Sequence, residues 1–272
     1  MSFIVTCMLA MGLKLSFREI VAPLGNPSRV ILALVANFFL APALAWGITQ
    51  LIPLHPSYTT SLLLLGAAAG APFLPKLTEI AQGDLGYSVA LTVLLTLGSI
   101  VFLPLALPFL IPGLKADPGD LALPLIFFMM LPLLLGLGIK RFFPSFSQVL
   151  YQISNRVSQG SLILLTALLI GLNFQAIAAT VGSGAIAASM LFVSLSIGGG
   201  FLLGGKDLRQ KSVLALGTGQ RNIAATLAIA NSNFSDPKVV TMLLVASLFG
   251  LVPLMIAGLW MRGERGRRLG GS

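Results

Sequence analysis

Gly70-Ala71-Pro72-Phe73-Leu74-Pro75 interrupts a long run of small and apolar residues, and Gly217-Thr218-Gly219 interrupts a second such run far along the chain. Glycine and proline at membrane depth unwind a helix. Unwinding frees carbonyls and amide N–H groups that can hold ions or substrates, so paired breaks point to a site near the bilayer midplane. Either break alone has a plainer reading, a kink of the kind these residues commonly make in membrane helices. Two breaks at matching positions favour a site.

The sequence around them belongs in lipid. Of 272 residues 56% are hydrophobic and 9% are charged, and the mean hydropathy is +0.97, a balance foreign to a soluble domain. Hydropathy and breaker residues predict about nine transmembrane helices near 1–13, 29–52, 58–82, 86–112, 121–139, 157–175, 178–204, 210–232 and 238–261. The first run lacks the basic start and small-residue cleavage site of a signal peptide, so it reads as a mature helix. A single cysteine, Cys7, excludes an intrachain disulfide and any cysteine-cluster metal site, and a single histidine, His55, in a proline-flanked connection, leaves little for zinc.

The net charge of +9 would suit nucleic acid if the basic residues formed a patch. They follow the membrane instead. Lys14, Arg18 and Arg29, then Lys140, Arg141 and Arg156, then Lys206, Arg209 and Lys211, then Arg262, Arg265, Arg267 and Arg268 fall in alternate connections on one side. The other side holds Lys115 and Lys238. By the positive-inside rule the first side is cytoplasmic and carries the C-terminus, while anionic lipid is a further attraction for the terminal arginines. The partners implied are the lipid bilayer and a small organic anion, not nucleic acid.

The third and eighth spans, which carry the breaks, lie five apart in order and therefore run in opposite directions. That is the relation expected of inverted five-helix repeats. The expected organisation is a first repeat over 1–115 with four helices, a second over 120–261 with five, and a basic cytoplasmic tail over 262–272. A full first repeat would need one more helix ahead of Met1.

Met11-Gly12-Leu13-Lys14-Leu15-Ser16, Ala36-Asn37-Phe38 with Pro42, Ala81-Gln82-Gly83-Asp84 with Ser88-Val89-Ala90-Leu91-Thr92, and Gly219-Gln220-Arg221-Asn222 together resemble the bile acid:sodium symporter family after its first helix. The resemblance implies an all-α integral membrane fold of inverted repeats, with panel and core domains and two crossing broken helices. It implies transport of an organic anion such as a bile acid, pyruvate or a pantothenate-like acid. Ser88 and Thr92 match hydroxyl ligands of one family sodium site, Asn37 stands where the other has an amide, and Asn222 matches the crossover amide. Gly217, however, occupies the place of the glutamate shared by both sites, Arg221 that of a glutamine ligand, and Leu74-Pro75 that of a Ser-Asn pair. The sodium sites are thus degenerate: no organic cofactor is called for and sodium is in question.

Lys76 and Arg221 lie inside spans, where a charge costs at least roughly 2.5–3.5 kcal/mol, so a functional or paired role is the default. The sharp expectation is that both project to the crossover, replace the two sodium ions and attract an anion, with Pro75, Thr218, Gly219 and Gln220 beside them. The plain alternative for Lys76 is a local pair with Glu79 at i,i+3, or snorkelling toward Asp84. Ser88 and Thr92 share a helix face at i,i+4, but such hydroxyls often only bond the preceding turn. Runs such as Gly66-Ala67-Ala68-Ala69-Gly70 and Gly198-Gly199-Gly200 suit close helix packing.

Three functions compete. One is a transporter as described, possible without sodium. A second is a proton-coupled or uncoupled carrier of auxin-efflux-like type, and a third is a non-transporting membrane assembly protein, which would leave the paired breaks and buried cations without a purpose. An intramembrane hydrolase built on Gly182-Ser183-Gly184 has no base, since His55 is in a loop.

Overall fold

The computed structural model describes residues 2–111, 123 and 126–270. Every regular element among them is helical. In chain order these are α1 (Ser2–Lys14), α2 (Phe17–Val21), α3 (Pro27–Val35), α4 (Ala41–Leu51), α5 (Pro56–Ala67), α6 (Leu74–Ile80), α7 (Leu85–Leu110), α8 (Leu131–Phe142), α9 (Pro144–Ala179), α10 (Ala185–Leu203), α11 (Leu208–Gly219), α12 (Ile223–Asn233) and α13 (Pro237–Gly270). Short π-helical turns at Ala36–Leu40 and Ile126–Met130 lead into α4 and α8. The proposed repeat boundary between 115 and 120, Lys115, and the start of the 121–139 span lie outside the described residues.

Four stretches, Pro27–Leu51, Leu85–Leu110, Ala185–Leu203 and Pro237–Arg267, are long and apolar enough to cross a membrane. Their surroundings fit lipid: Phe109, Leu202 and Leu51 are 89%, 81% and 79% exposed, which water would penalise and acyl chains do not.

Two apolar cores organise the helices. A larger one draws side chains from α4, α5, α7, α10, α11 and α13, among them Ala45, Leu64, Leu91, Phe192, Leu216 and Leu243. A smaller one centres on α1, with Cys7, Met8 and Met11 against Met129 and Leu133, and α1 packs most extensively on α8 and α9. Gly12 and Gly136 bring α1 and α8 together. A Cβ on Gly12 would stand 2.2 Å from the Leu133 carbonyl oxygen, so no side chain fits there.

Helix boundaries differ from expectation in five places. The first break covers 68–73, with Leu74 and Pro75 already opening α6, because proline suits the first helical turn, where its missing N–H is not needed. In the second, helix continues through Gly217, Thr218 and Gly219 and the break is 220–222; the Gln220 amide still donates to the Leu216 carbonyl at 2.8 Å. α9 starts at Pro144, well ahead of 157, because its polar first half is helical too. The turn after it lies at 180–184, later than the expected 176–177, where Gly182 and Gly184 supply positive φ. The C-terminal segment from 262, expected as a tail, continues α13 to Gly270.

Candidate functional site

The two breaks meet. The Asn222 backbone N–H donates to the Ala68 carbonyl at 3.0 Å and its side-chain amide to the Gly70 carbonyl at 3.3 Å. Its Oδ1 accepts from the Ala225 N–H and caps α12. One asparagine thus ties the loop of the first broken helix to the start of the second half of the other. Gly70 permits this with φ +82°, and Thr96 Oγ1 donates to the same carbonyl from α7.

Arg221 fills the other side of the contact. A helix ending inside lipid leaves its last carbonyls without partners, and α5 ends there, at Ala67. Arg221 Nε donates to the Leu65 carbonyl at 2.9 Å and Nη2 to the Gly66 carbonyl at 2.6 Å. Nη1 reaches Asn37 Oδ1 at 3.1 Å and the Thr218 carbonyl at 3.2 Å, and Nη2 also reaches the Asn37 carbonyl at 3.4 Å. A guanidinium has five N–H donors, and these five bonds use them all. The negative end of the α5 dipole adds attraction for the positive group. Asn37 can offer its backbone oxygen because it sits in the π turn, whose wider spacing loosens the ordinary ladder. Its amide donates to the Ala33 carbonyl and to Thr218 Oγ1.

Asn37, Thr218, Arg221 and Asn222 therefore come together. Lys76 takes a different place. Its ammonium meets Asn155 Oδ1 of α9 and lies 3.7 Å from Glu79 Oε2, so the local i,i+3 pair is present and no contact joins it to Arg221. Pro75 is buried in the first turn of α6, and Gly219 lies against Ile197 of α10. Sequence reading missed Asn155, placed in a connection by hydropathy. The buried serines Ser147, Ser154 and Ser158 follow helical spacing and were the available signal. The Leu65 and Gly66 carbonyls have no signal in side-chain chemistry at all.

The hydroxyls of Ser88 and Thr92 make hydrogen bonds within the protein. Thr92 Oγ1 donates to the Ser88 carbonyl one turn back at 2.9 Å, and Ser88 Oγ accepts from Thr78 Oγ1 at 2.9 Å. A Cβ on Gly217 would meet Leu91 Cδ2 at 2.9 Å and Leu74 Cδ2 at 3.0 Å, so leucine methyls fill the space where the resemblance expects a carboxylate. Around Asn37 the guanidinium already takes the oxygens.

Beside the crossover lies a cavity of about 150 Å³. Phe3, Phe73, Phe192 and Leu254 give it an apolar wall, and Gln220 and Arg221 form part of its border. Arg221 turns its donors to the carbonyls, whereas the Gln220 side chain makes no hydrogen bond among the described residues.

The model of the sodium bile acid symporter family matches residues 1–180. The chain belongs to that family. It is 24% identical to the probable sodium/metabolite cotransporter BASS1 of Arabidopsis thaliana chloroplasts over 94% of its own length and 65% of that protein's. It is 26% identical to the probable sodium/metabolite cotransporter BASS2 of rice over 85% and 56%, and 26% identical to the uncharacterized sodium-dependent transporter YocS of Bacillus subtilis over 98% and 84%. The chain spans less than two thirds of the two plant relatives. Family and apolar helices together make it an integral membrane protein of a transporter family.

Proposed function

We propose that the protein is a secondary transporter of a small organic anion, organised as inverted repeats over 1–115 and 120–261, and that it runs without sodium. The observation that carries this reading is Arg221, a buried guanidinium bonded to the carbonyls of one broken helix from within the other. A fixed cation there does what bound sodium would do, holding the crossing helices together, and it does so permanently. A sodium ion about 4 Å from it would face around 4 kcal/mol of repulsion at an effective dielectric of 20, roughly a thousandfold in affinity. An anion is favoured by the same field, because Arg221 has no carboxylate partner among the described residues. The names of the relatives, sodium/metabolite cotransporter and sodium-dependent transporter, support transport and set the contrast in coupling.

Uptake into proteoliposomes tests this. Labelled pyruvate, 2-oxoisovalerate and taurocholate would be followed with sodium, potassium or choline outside. Uptake of at least one should be equal in all three salts. Strict dependence on sodium would refute the uncoupled reading, and uptake driven by an imposed pH gradient would instead favour the proton-coupled carrier.

A further inference from the structure

The basic end of the molecule holds a second cavity, of about 380 Å³, away from the crossover. It lies where the start of α3, the first turn of α7 and the turn from α10 into α11 meet. The Asp84 N–H donates to the Arg209 carbonyl at 3.2 Å and pins the start of α7 to that of α11, while Gly205 turns the chain with φ +78°. Tyr87 and Leu214 form the floor, 4% and 2% exposed, and Ser28 and Lys206 stand exposed at the mouth.

The polar groups of this cavity are idle. Neither the Arg29 guanidinium nor the Lys206 ammonium makes a hydrogen bond or an ion pair among the described residues, and the Gln210 side chain has no partner among them either. The one carboxylate of the lining, Asp207, is occupied as the cap of α11, accepting from the Arg209 N–H at 3.0 Å. Two cations to one carboxylate leave the cavity positive. Tyr87 adds the sharper signal, because a buried hydroxyl ordinarily finds a partner and this one has none among the described residues. The side-chain oxygens that are both sealed off and unpartnered there belong to Ser158 and Ser196, so the Tyr87 hydroxyl opens into the cavity. An unused O–H donor on the floor, a guanidinium on the wall and an ammonium at the mouth suit an anion with several acceptor oxygens, as a phosphate has.

What flanks the mouth points to the source of that phosphate. From Ser28 onward Ile31, Val35 and Phe39 stand exposed along α3 and its π turn, as do Leu195 and Leu202 along α10, and Leu40 packs onto Gly199 between the two helices. An acyl chain in this seam leads its headgroup to the cavity. The basic end is also the one that the positive-inside rule assigns to the leaflet rich in anionic lipid.

We propose that this cavity binds the phosphodiester of an anionic phospholipid. Arg29 pairs with the phosphate, the Tyr87 hydroxyl donates to one of its non-bridging oxygens, Gln210 and Lys206 hold the rest of the headgroup, and the acyl chains run in the seam between α3 and α10. A zwitterionic headgroup brings a further cation to a place that already has two and is disfavoured.

The test uses the full chain, stripped of lipid in detergent, with lipid adducts followed by native mass spectrometry. Phosphatidylglycerol should bind more tightly than phosphatidylcholine. Tyr87→Phe and Arg29→Gln should each weaken phosphatidylglycerol roughly 10- to 100-fold, the range of one hydrogen bond to a charged group. Arg141→Gln, which removes an exposed arginine at the same end but outside the cavity, should change it little. Melting separates binding from structure: with no internal partner for the hydroxyl, Tyr87→Phe should melt with the wild type in the absence of lipid and lose the rise that phosphatidylglycerol gives the wild type. Equal binding of phosphatidylcholine, or unchanged phosphatidylglycerol binding in Tyr87→Phe, overturns the inference. So does a loss in Arg141→Gln as large as that in Arg29→Gln, the mark of diffuse attraction, or a lower lipid-free melting temperature in Tyr87→Phe, the mark of a structural hydroxyl. Glycerol 3-phosphate or inorganic phosphate binding as tightly as the lipid would overturn the lipid assignment in favour of a soluble phosphate.

Discussion

Arg221 is 3% exposed and bonded only to neutral oxygens, four of its five acceptors being backbone carbonyls or an amide of other helices. Removing it strands the Gly66 carbonyl and the Asn37 side-chain oxygen in a dry interior, while the Leu65 carbonyl keeps the Ala68 N–H at 3.3 Å; each group left without a partner costs about 1–3 kcal/mol. Glutamine reaches one or two of the five acceptors at best. Arg221→Gln should therefore lower stability by on the order of 3 kcal/mol, read as a lower melting temperature of the detergent-purified protein. An unchanged melting temperature would show that the guanidinium does not clamp the crossover. The position of this cation inside a span was legible from the sequence. Its full engagement was not, because the partners are carbonyl oxygens, which every residue carries and only geometry selects. Lys76 shows the converse: its i,i+3 neighbour Glu79 was readable as local spacing, while Asn155 required knowing that α1, α6 and α9 converge.

At the scale of elements, both interruptions were readable and their limits were not. Gly and Pro mark where a helix is weak, but hydrogen bonding decides where it stops, which is why helix runs through Gly217-Thr218-Gly219 and ends only as Asn222 turns to Ala68. The polar start of α9 illustrates the same limit, since hydropathy follows lipid exposure and not helicity. Within the first break Gly70 is fixed twice over, by φ +82° and by Thr96, whose backbone nitrogen would lie 2.6 Å from an added Cβ. Gly182 has φ +83° with open space around it. Gly182→Ala should therefore cost only the conformational strain, on the order of 1–3 kcal/mol, and Gly70→Ala considerably more, since it also drives Thr96 and α7 away from Asn222. Comparing folded yield and melting temperature of the two variants checks this. Equal effects would mean that the loop tolerates displacement and that the Gly70–Asn222 contact is dispensable.

At the scale of the molecule, contacts gather the connections at two chemically different ends. At one end Asp84 N donates to the Arg209 carbonyl, Lys140 Nζ to the Lys14 carbonyl and Arg265 to the Gln82 carbonyl. This joins the connections after α1, α6, α8 and α10 to the last turns of α13. At the other end Ser57 donates to Asp236, Lys238 Nζ lies 3.3 Å from His55 Nε2, and the turn at Gly184 approaches Ile52 and Leu54. The Ser57 hydroxyl and the Lys238 backbone N–H hold the Asp236 carboxyl below its ordinary pKa. Arginine and lysine concentrate at the first end because basic residues resist translocation across an energised membrane. The first end should accordingly face the cytoplasm and the second the outside. A reporter active only in the cytoplasm should work when fused after Ser272 and when inserted beside Ser145, at the start of α9, and should fail beside Asp236. A cytoplasmic signal at Asp236, or its loss at Ser272, would reverse the orientation.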